Sequence, residues 1–114
     1  MKSTIVIPNY NGIKYLGPCL ESVYKDAPYV PVIVVDNGSS DGSELLGQQF
    51  PAAKFIRLPE NTGFCHAVNV GVAAAETEYV IFLNNDILVE PGFVSSLERG
   101  FAPHVGRGIS PSSL

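Results

Sequence analysis

The chain has 114 residues, 46% of them hydrophobic and only 16% charged, a balance that excludes an intrinsically disordered segment and predicts one globular domain or part of one. The formal net charge is −4, from 11 acidic and 7 basic residues, and no Lys/Arg cluster or basic–aromatic alternation occurs, which argues against nucleic acid and anionic membrane surfaces as partners. No apolar run nears the roughly 18 residues needed to span a bilayer, and the opening MKSTIVIPNYNG reads as a strand entering a polar loop rather than a leader peptide, so a cytoplasmic location fits best.

In chain order, the first strand is the apolar run 4–7, which ends in PNYNG. Leu16, Cys19, Leu20 and Val23 then fall at i, i+3, i+4 and i+7, the spacing of one helix face. A second strand over 30–35 gives way at Asp36 to the small, polar stretch NGSSDGS. Asp41 and Glu44 have the D-x-x-E form of a capping box, which opens a short helix through Leu45 and Leu46. A third strand covers 54–58, a second helical stripe runs through Phe64, Val68, Val72 and Ala75, and a fourth strand covers 79–83. A last helix starts near Pro91, a good first-turn residue, and buries Phe93, Val94, Leu97 and Phe101. This alternation predicts an α/β fold: a Rossmann-like parallel sheet with helices on both faces.

In such a sheet, ligands bind outside the carboxyl ends of the strands, at the point where the strand order reverses. Four polar loops meet there, around residues 8–11, 36–42, 60–63 and 84–86, and Gly38, Ser39, Ser40 and Gly42 let a ligand approach the backbone closely. The loops lack a G-x-G-x-x-G fingerprint, a Walker-type phosphate loop and a G-x-S-x-G elbow. His66, near a helix start, reads as a surface or packing histidine, and nothing pairs with His104. Cys19 and Cys65 read as buried or half-buried free thiols, too few and wrongly spaced for a disulfide framework or a C-x-x-C pair.

The segments IVIPNYNG, VVDNGSSDGS, ENTGFCHAVNVG and YVIFLNNDILVEPGFV, in this order, resemble the four signature segments of the family 2 glycosyltransferases, which have the A-type nucleotide-sugar-binding fold. The resemblance covers nearly the whole chain and is strongest to the branch of rhamnosyl-, glucosyl- and galactofuranosyl-transferases that build bacterial surface polysaccharides. It implies the strand order 3-2-1-4. It also implies that Pro8, Asn9 and Tyr10 lie along the base and ribose of a nucleotide-sugar, and that Asp36 accepts a hydrogen bond from the base's ring N–H, a role suited to an acceptor-only carboxylate. Asn61 and Gly63 match the segment near base and phosphates. Asn84 and Asp86 take the outer positions of the family's Asp-x-Asp motif with Asn85 between them. Asp86 is then the ligand of a divalent cation, Mn²⁺ or Mg²⁺, held on the diphosphate by hard oxygens.

Two departures from the family pattern stand out. Asn84 replaces a common Asp, which removes one negative charge from the metal site. The general base needed for inverting transfer belongs to a later segment, expected beyond Leu114, because Glu90 and Glu98 read as a helix cap and a solvated helix face. The closing VGRGISPSSL resembles the start of the family's next strand, cut short. The expectation is therefore that 1–114 is the nucleotide-sugar-binding N-terminal part of an inverting glycosyltransferase, without its acceptor-binding part. Such an enzyme moves a hexose or deoxyhexose from a UDP- or dTDP-sugar to a glycan or lipid-linked acceptor. Peripheral membrane association of a longer enzyme and homo-oligomerisation through an unpaired sheet edge stay open. Two other readings also stay open: a catalytically inert nucleotide-binding remnant, and a metal-dependent sugar nucleotidyltransferase, which would normally carry a Gly-rich basic phosphate loop where this chain has PNYNGIKYL.

Overall fold

The computed structural model describes residues 2–100. Its strands β1 (Ser3–Asn9), β2 (Val32–Asn37), β3 (Lys54–Leu58) and β4 (Tyr79–Phe82) form one sheet in the order β3-β2-β1-β4. Every pairing is parallel, so the predicted order and strand direction are both observed. The connections are helix α1 (Leu16–Asp26), a 3₁₀ helix (Ser43–Gln48) and helix α2 (Phe64–Ala74), with helix α3 (Phe93–Gly100) after β4.

Right-handed crossovers explain the layering. The chain steps from β1 to β2 to β3 in one direction, then returns across the sheet to set β4 on the other side of β1, so α2 lies on the opposite face from α1. Alternation along each strand supplies both cores. Ile5, Ile7, Val32, Val34, Tyr79 and Ile81 face Leu16, Leu20 and Val23 of α1, Leu46 of the 3₁₀ helix and Val94 of α3. Val6, Ile33 and Val35 face Ala67 of α2.

The α1 stripe is buried as expected, and the α2 stripe only in part: Val68 is buried and Val72 and Ala75 are half-buried, but Phe64 is not. Ala67, Val68 and Gly71 form its buried face, while Phe64 is 56% exposed. Gly71 decides this rotation: a Cβ there would run into Val6 Cγ1 and lie 3.1 Å from Val35 Cγ2, so the smallest residue sits where helix and sheet are closest. The expected capping box is also altered. Gly42, at φ 98°, is the N-cap of the 3₁₀ helix; Glu44 reaches back to the Gly42 N–H (2.8 Å), and Asp41 accepts from Ser43 N–H and Oγ–H. In α3, Val94 is buried and Phe93 and Leu97 are partly so, whereas Phe101 and the closing VGRGISPSSL lie outside the described residues.

Strand ends open the functional edge. Val6 C=O accepts Leu83 N–H (3.0 Å), while Ile5 N–H donates to Pro31 C=O (2.9 Å), so even-numbered residues of β1 face β4 and odd-numbered ones face β2. Pro8 is even-numbered and lacks an N–H only on the side where β4 has already ended. β1 continues to Asn9 beside β2, and β2 continues to Asn37 beside β3, two residues past the apolar run. β1 and β4 thus part company, and a cleft opens between them.

Candidate nucleotide-sugar site

The cleft encloses about 340 Å³ at the carboxyl edge of the sheet. Pro8 and Asn9 line it from the end of β1 and Tyr10 from just past it, Asn37 from β2, Asn61 from the β3–α2 connection, Phe64 from the first position of α2, and Asn84, Asn85 and Asp86 from the loop after β4. Seven of the nine residues expected at the site are therefore brought together. Gly63 stands just behind as the N-cap of α2, at φ 95°.

Asp36 is the ninth, and it lies one layer below the cleft with only 1% of its surface exposed. Its Oδ1 accepts from Asn9 Nδ2 and its Oδ2 from Ser39 N–H, both at 3.0 Å. The residue that β2 presents to the cleft is Asn37, because successive strand residues point to opposite faces and β2 runs through both. Asn37 and Phe64 are the lining residues that the sequence reading missed. The parity of Val32 and Val34 against Ile33 and Val35 would have found Asn37, had the strand been drawn two residues longer.

Hydrogen bonds settle what each amide can offer. Asn37 Nδ2 donates to Asn61 Oδ1 (3.0 Å) and Gly63 C=O (3.1 Å), and its Oδ1 accepts from Thr62 N–H (2.9 Å) and Oγ1 (3.1 Å). With both amide hydrogens and both lone pairs used, Asn37 offers a ligand only its flat face. Asn61 Oδ1 also accepts Gly63 N–H (3.0 Å), so the atom Asn61 has left to offer is its Nδ2 donor. Phe64 packs edge-on against Phe82, with centroids 5.3 Å apart, and adds an apolar wall.

The loop carrying Asp86 is held from below by α1. Cys19 Sγ lies 3.8 Å from Asn84 C=O as a donor, Ser22 Oγ accepts Val89 N–H (2.9 Å), and Asp26 accepts Gly92 N–H (2.6 Å) and Val94 N–H (3.0 Å). Burial first, and the Asp86 carboxylate second, push the Cys19 thiol up to about 11, so it stays a protonated donor at neutral pH. Cys65 is exposed, contrary to the half-buried expectation, and His66 is a surface residue.

Among the described residues, no three His, Cys, Asp or Glu side chains gather into a self-sufficient metal centre. The single carboxylate lining the cleft among the described residues, the exposed Asp86, stands beside Asn84 and Asn85. That hard-oxygen set fits a divalent cation only if a ligand supplies the remaining oxygens. Glu98 is not a solvated face residue: it accepts from Ser3 Oγ (2.8 Å) and Tyr29 OH (3.3 Å), at the opposite edge of the sheet from the cleft.

The family described as Glycosyl transferase family 2 matches residues 4–103. The chain belongs to glycosyl transferase family 2. Among relatives of this family 2 chain is a teichoic acid poly(glycerol phosphate) polymerase of Staphylococcus epidermidis, 35% identical over 91 residues, which cover 75% of this chain and 13% of that protein. Glycosyltransferase AglE of Haloferax volcanii is 31% identical over 114 residues, covering 93% of this chain and 36% of that one. Among solved structures, S. aureus TarS 1-349 in complex with UDP has a TM-score of 0.81 at 26% identity, over 91% of this chain and 33% of that one. The mannosyltransferase PcManGT from Pyrobaculum calidifontis, in complex with GDP-Man and Mn²⁺, shares the fold with a TM-score of 0.79 at 22% identity, over 89% of this chain and 32% of that one. The family 2 chain thus spans about a third or less of the length of these proteins. Among its described residues, no helix is long and apolar enough to cross a membrane.

Proposed function

We propose that this chain is the donor-binding part of an inverting, metal-assisted glycosyltransferase that uses a UDP- or dTDP-hexose or deoxyhexose and serves a glycan or lipid-linked acceptor in surface polysaccharide synthesis. The observation that carries this reading is the juxtaposition, in a family 2 chain, of an amide-lined cleft with one exposed carboxylate, Asp86, where β1 and β4 separate. A cleft of about 340 Å³ is within the roughly 300–1,000 Å³ range of small-molecule sites. Tyr10 and Phe64 supply apolar surface for a base and ribose, Asn61 a donor for a base carbonyl, and Asn84 and Asn85 polar contacts toward ribose and diphosphate.

Asp86 would hold Mn²⁺ or Mg²⁺ together with the diphosphate oxygens, and the cation would offset the charge that grows on the leaving diphosphate. The side chains bind and orient the donor. Asp36 contributes from beneath rather than by touching the base. We assign the general base to another segment; in support, Glu98 is engaged at the far edge and Glu90 lies outside the cleft lining.

Calorimetric titration of the 114-residue chain with UDP, dTDP and GDP, each in EDTA and in millimolar Mn²⁺, tests the reading. With a single carboxylate to hold the metal, metal and nucleotide should couple by about 1–3 kcal/mol, so Mn²⁺ should tighten UDP binding roughly 5- to 150-fold. Asp86→Ala should remove that gain more than it weakens metal-free binding. Equal UDP affinity with and without Mn²⁺, in folded protein, would instead favour an inert nucleotide-binding remnant.

A further inference from the structure

We propose that Asp36 is a positioning residue which, acting through Asn9, determines that Asn85 turns its carbonyl oxygen rather than its amide nitrogen to the cleft. Asn9 is 2% exposed and Asp36 1%, so neither exchanges its partners for water. A carboxylate only accepts hydrogen bonds, and Asp36 Oδ1 lies 3.0 Å from Asn9 Nδ2. A second carboxylate imposes the same sense: Ser43 Oγ–H donates to Asp41 Oδ1 (2.6 Å), which leaves Ser43 Oγ lone pairs to accept from Asn9 Nδ2 (3.0 Å). The Asn9 amide nitrogen is thus committed downward and its Oδ1 faces the loop after β4. There it can meet only a donor, and Asn85 Nδ2 supplies it at 2.9 Å. Asn85 lines the cleft next to Asp86, and its Oδ1, left without a partner among the described residues, is the amide atom it has to offer there.

The chain of bonds therefore converts a buried negative charge into the polarity of a surface atom 49 residues away in sequence (85 − 36). Reversing any one amide would set donor against donor or oxygen against oxygen in a dry interior, and each such buried mismatch is costly. The β4 side of the cleft then presents oxygens, the Asp86 carboxylate and the Asn85 carbonyl, and calls for a ligand hydroxyl or a cation. That consequence rests on the nucleotide-sugar reading above, whereas the amide orientation itself does not.

The test has two arms. In ligand-free, ¹⁵N-labelled protein, the Asn85 side-chain NH₂ should exchange with water about tenfold more slowly than that of Asn84, whose side chain has no partner among the described residues. Asp36→Asn, which lets position 36 present an N–H to Asn9, should remove most of this protection, and Asn9→Ala serves the same purpose if Asp36→Asn does not fold. Equal exchange of Asn84 and Asn85 in the unaltered protein, or protection unchanged in a folded variant, would overturn the proposal. In the second arm, Asp36→Asn should weaken UDP–Mn²⁺ binding about tenfold in the unaltered background but less than about twofold in an Asn85→Ala background. Equal losses in both backgrounds would show that Asp36 does not act through Asn85. If UDP does not bind the unaltered chain, the functional reading fails and the exchange arm alone decides the positioning role.

Discussion

Gly12 lies against the Asn85 amide so closely that a Cβ at position 12 would overlap Asn85 Nδ2 and stand 2.5 Å from Asn9 Oδ1, the two atoms joined by the hydrogen bond across the cleft floor. Gly12 is not in a left-handed conformation, so the constraint is steric rather than torsional. Gly12→Ala should push Asn85 off Asn9, weaken UDP–Mn²⁺ binding about 5- to 10-fold, and cost about 1–3 kcal/mol of stability from overpacking. Calorimetry and urea unfolding of one variant give both numbers; unchanged binding would show that Asn85 is not needed in place.

Gly71 sets two effects against each other. Alanine is favoured over glycine inside a helix by about 1 kcal/mol. The added methyl would run into Val6 Cγ1 at a distance real side chains do not show and press tightly on Val35 Cγ2 at 3.1 Å, an overpacking cost of about 1–3 kcal/mol. The clash should win, giving net destabilisation of Gly71→Ala by urea unfolding, with nucleotide affinity unchanged within about twofold because Gly71 is not part of the cleft lining. A more stable variant would mean that α2 can move off the sheet.

Asp41 links the first two loops and predicts an acid-sensitive step. Burial works to raise its pKa, but the hydrogen bonds from Ser43 Oγ, Ser43 N–H and Ile13 N–H outweigh it and hold the carboxyl below the ordinary value of 3.8. A folded-state pKa below the unfolded one contributes stability that is present above about pH 4 and is lost as pH falls through the folded value. Asp41→Asn should therefore be less stable than the unaltered chain at pH 6, and the gap should close below pH 4. A gap that stays constant down to pH 2 would show that the ionised form has no special role.

The two thiols should separate cleanly. Cys65 is exposed and Cys19 is buried with its thiol pushed up to about 11. Iodoacetamide at pH 7.5 should add one carbamidomethyl group to native protein, at Cys65, and a second only in denaturant. Native labelling of Cys19 would mean that the Asp86 loop lifts away from α1.

From sequence alone, the β/α alternation, the buried stripe of α1 and the gathering of four polar loops at one sheet edge are legible, because these depend on periodicities within a few residues of chain. The resemblance of the segments carrying Asn9, Asn61, Asn84 and Asp86 to those of family 2 carries the candidate site. Packing decided the rest. Whether Asp36 or Asn37 reaches the cleft depends on where β2 ends, and that is set by its pairing with Asn9 on one side and Leu58 on the other. The buried face of α2 follows from how closely Gly71 lets it approach Val6, and the role of Glu98 from a hydrogen bond to Ser3, 95 positions away. The grip of Cys19, Ser22 and Asp26 on the loop carrying Asp86 spans 65 to 68 positions. Local pattern states which residues seek burial or a hydrogen-bond partner. Which partner each one finds is decided only when distant segments are brought within about 3 Å, the range over which directional bonds and steric contacts act.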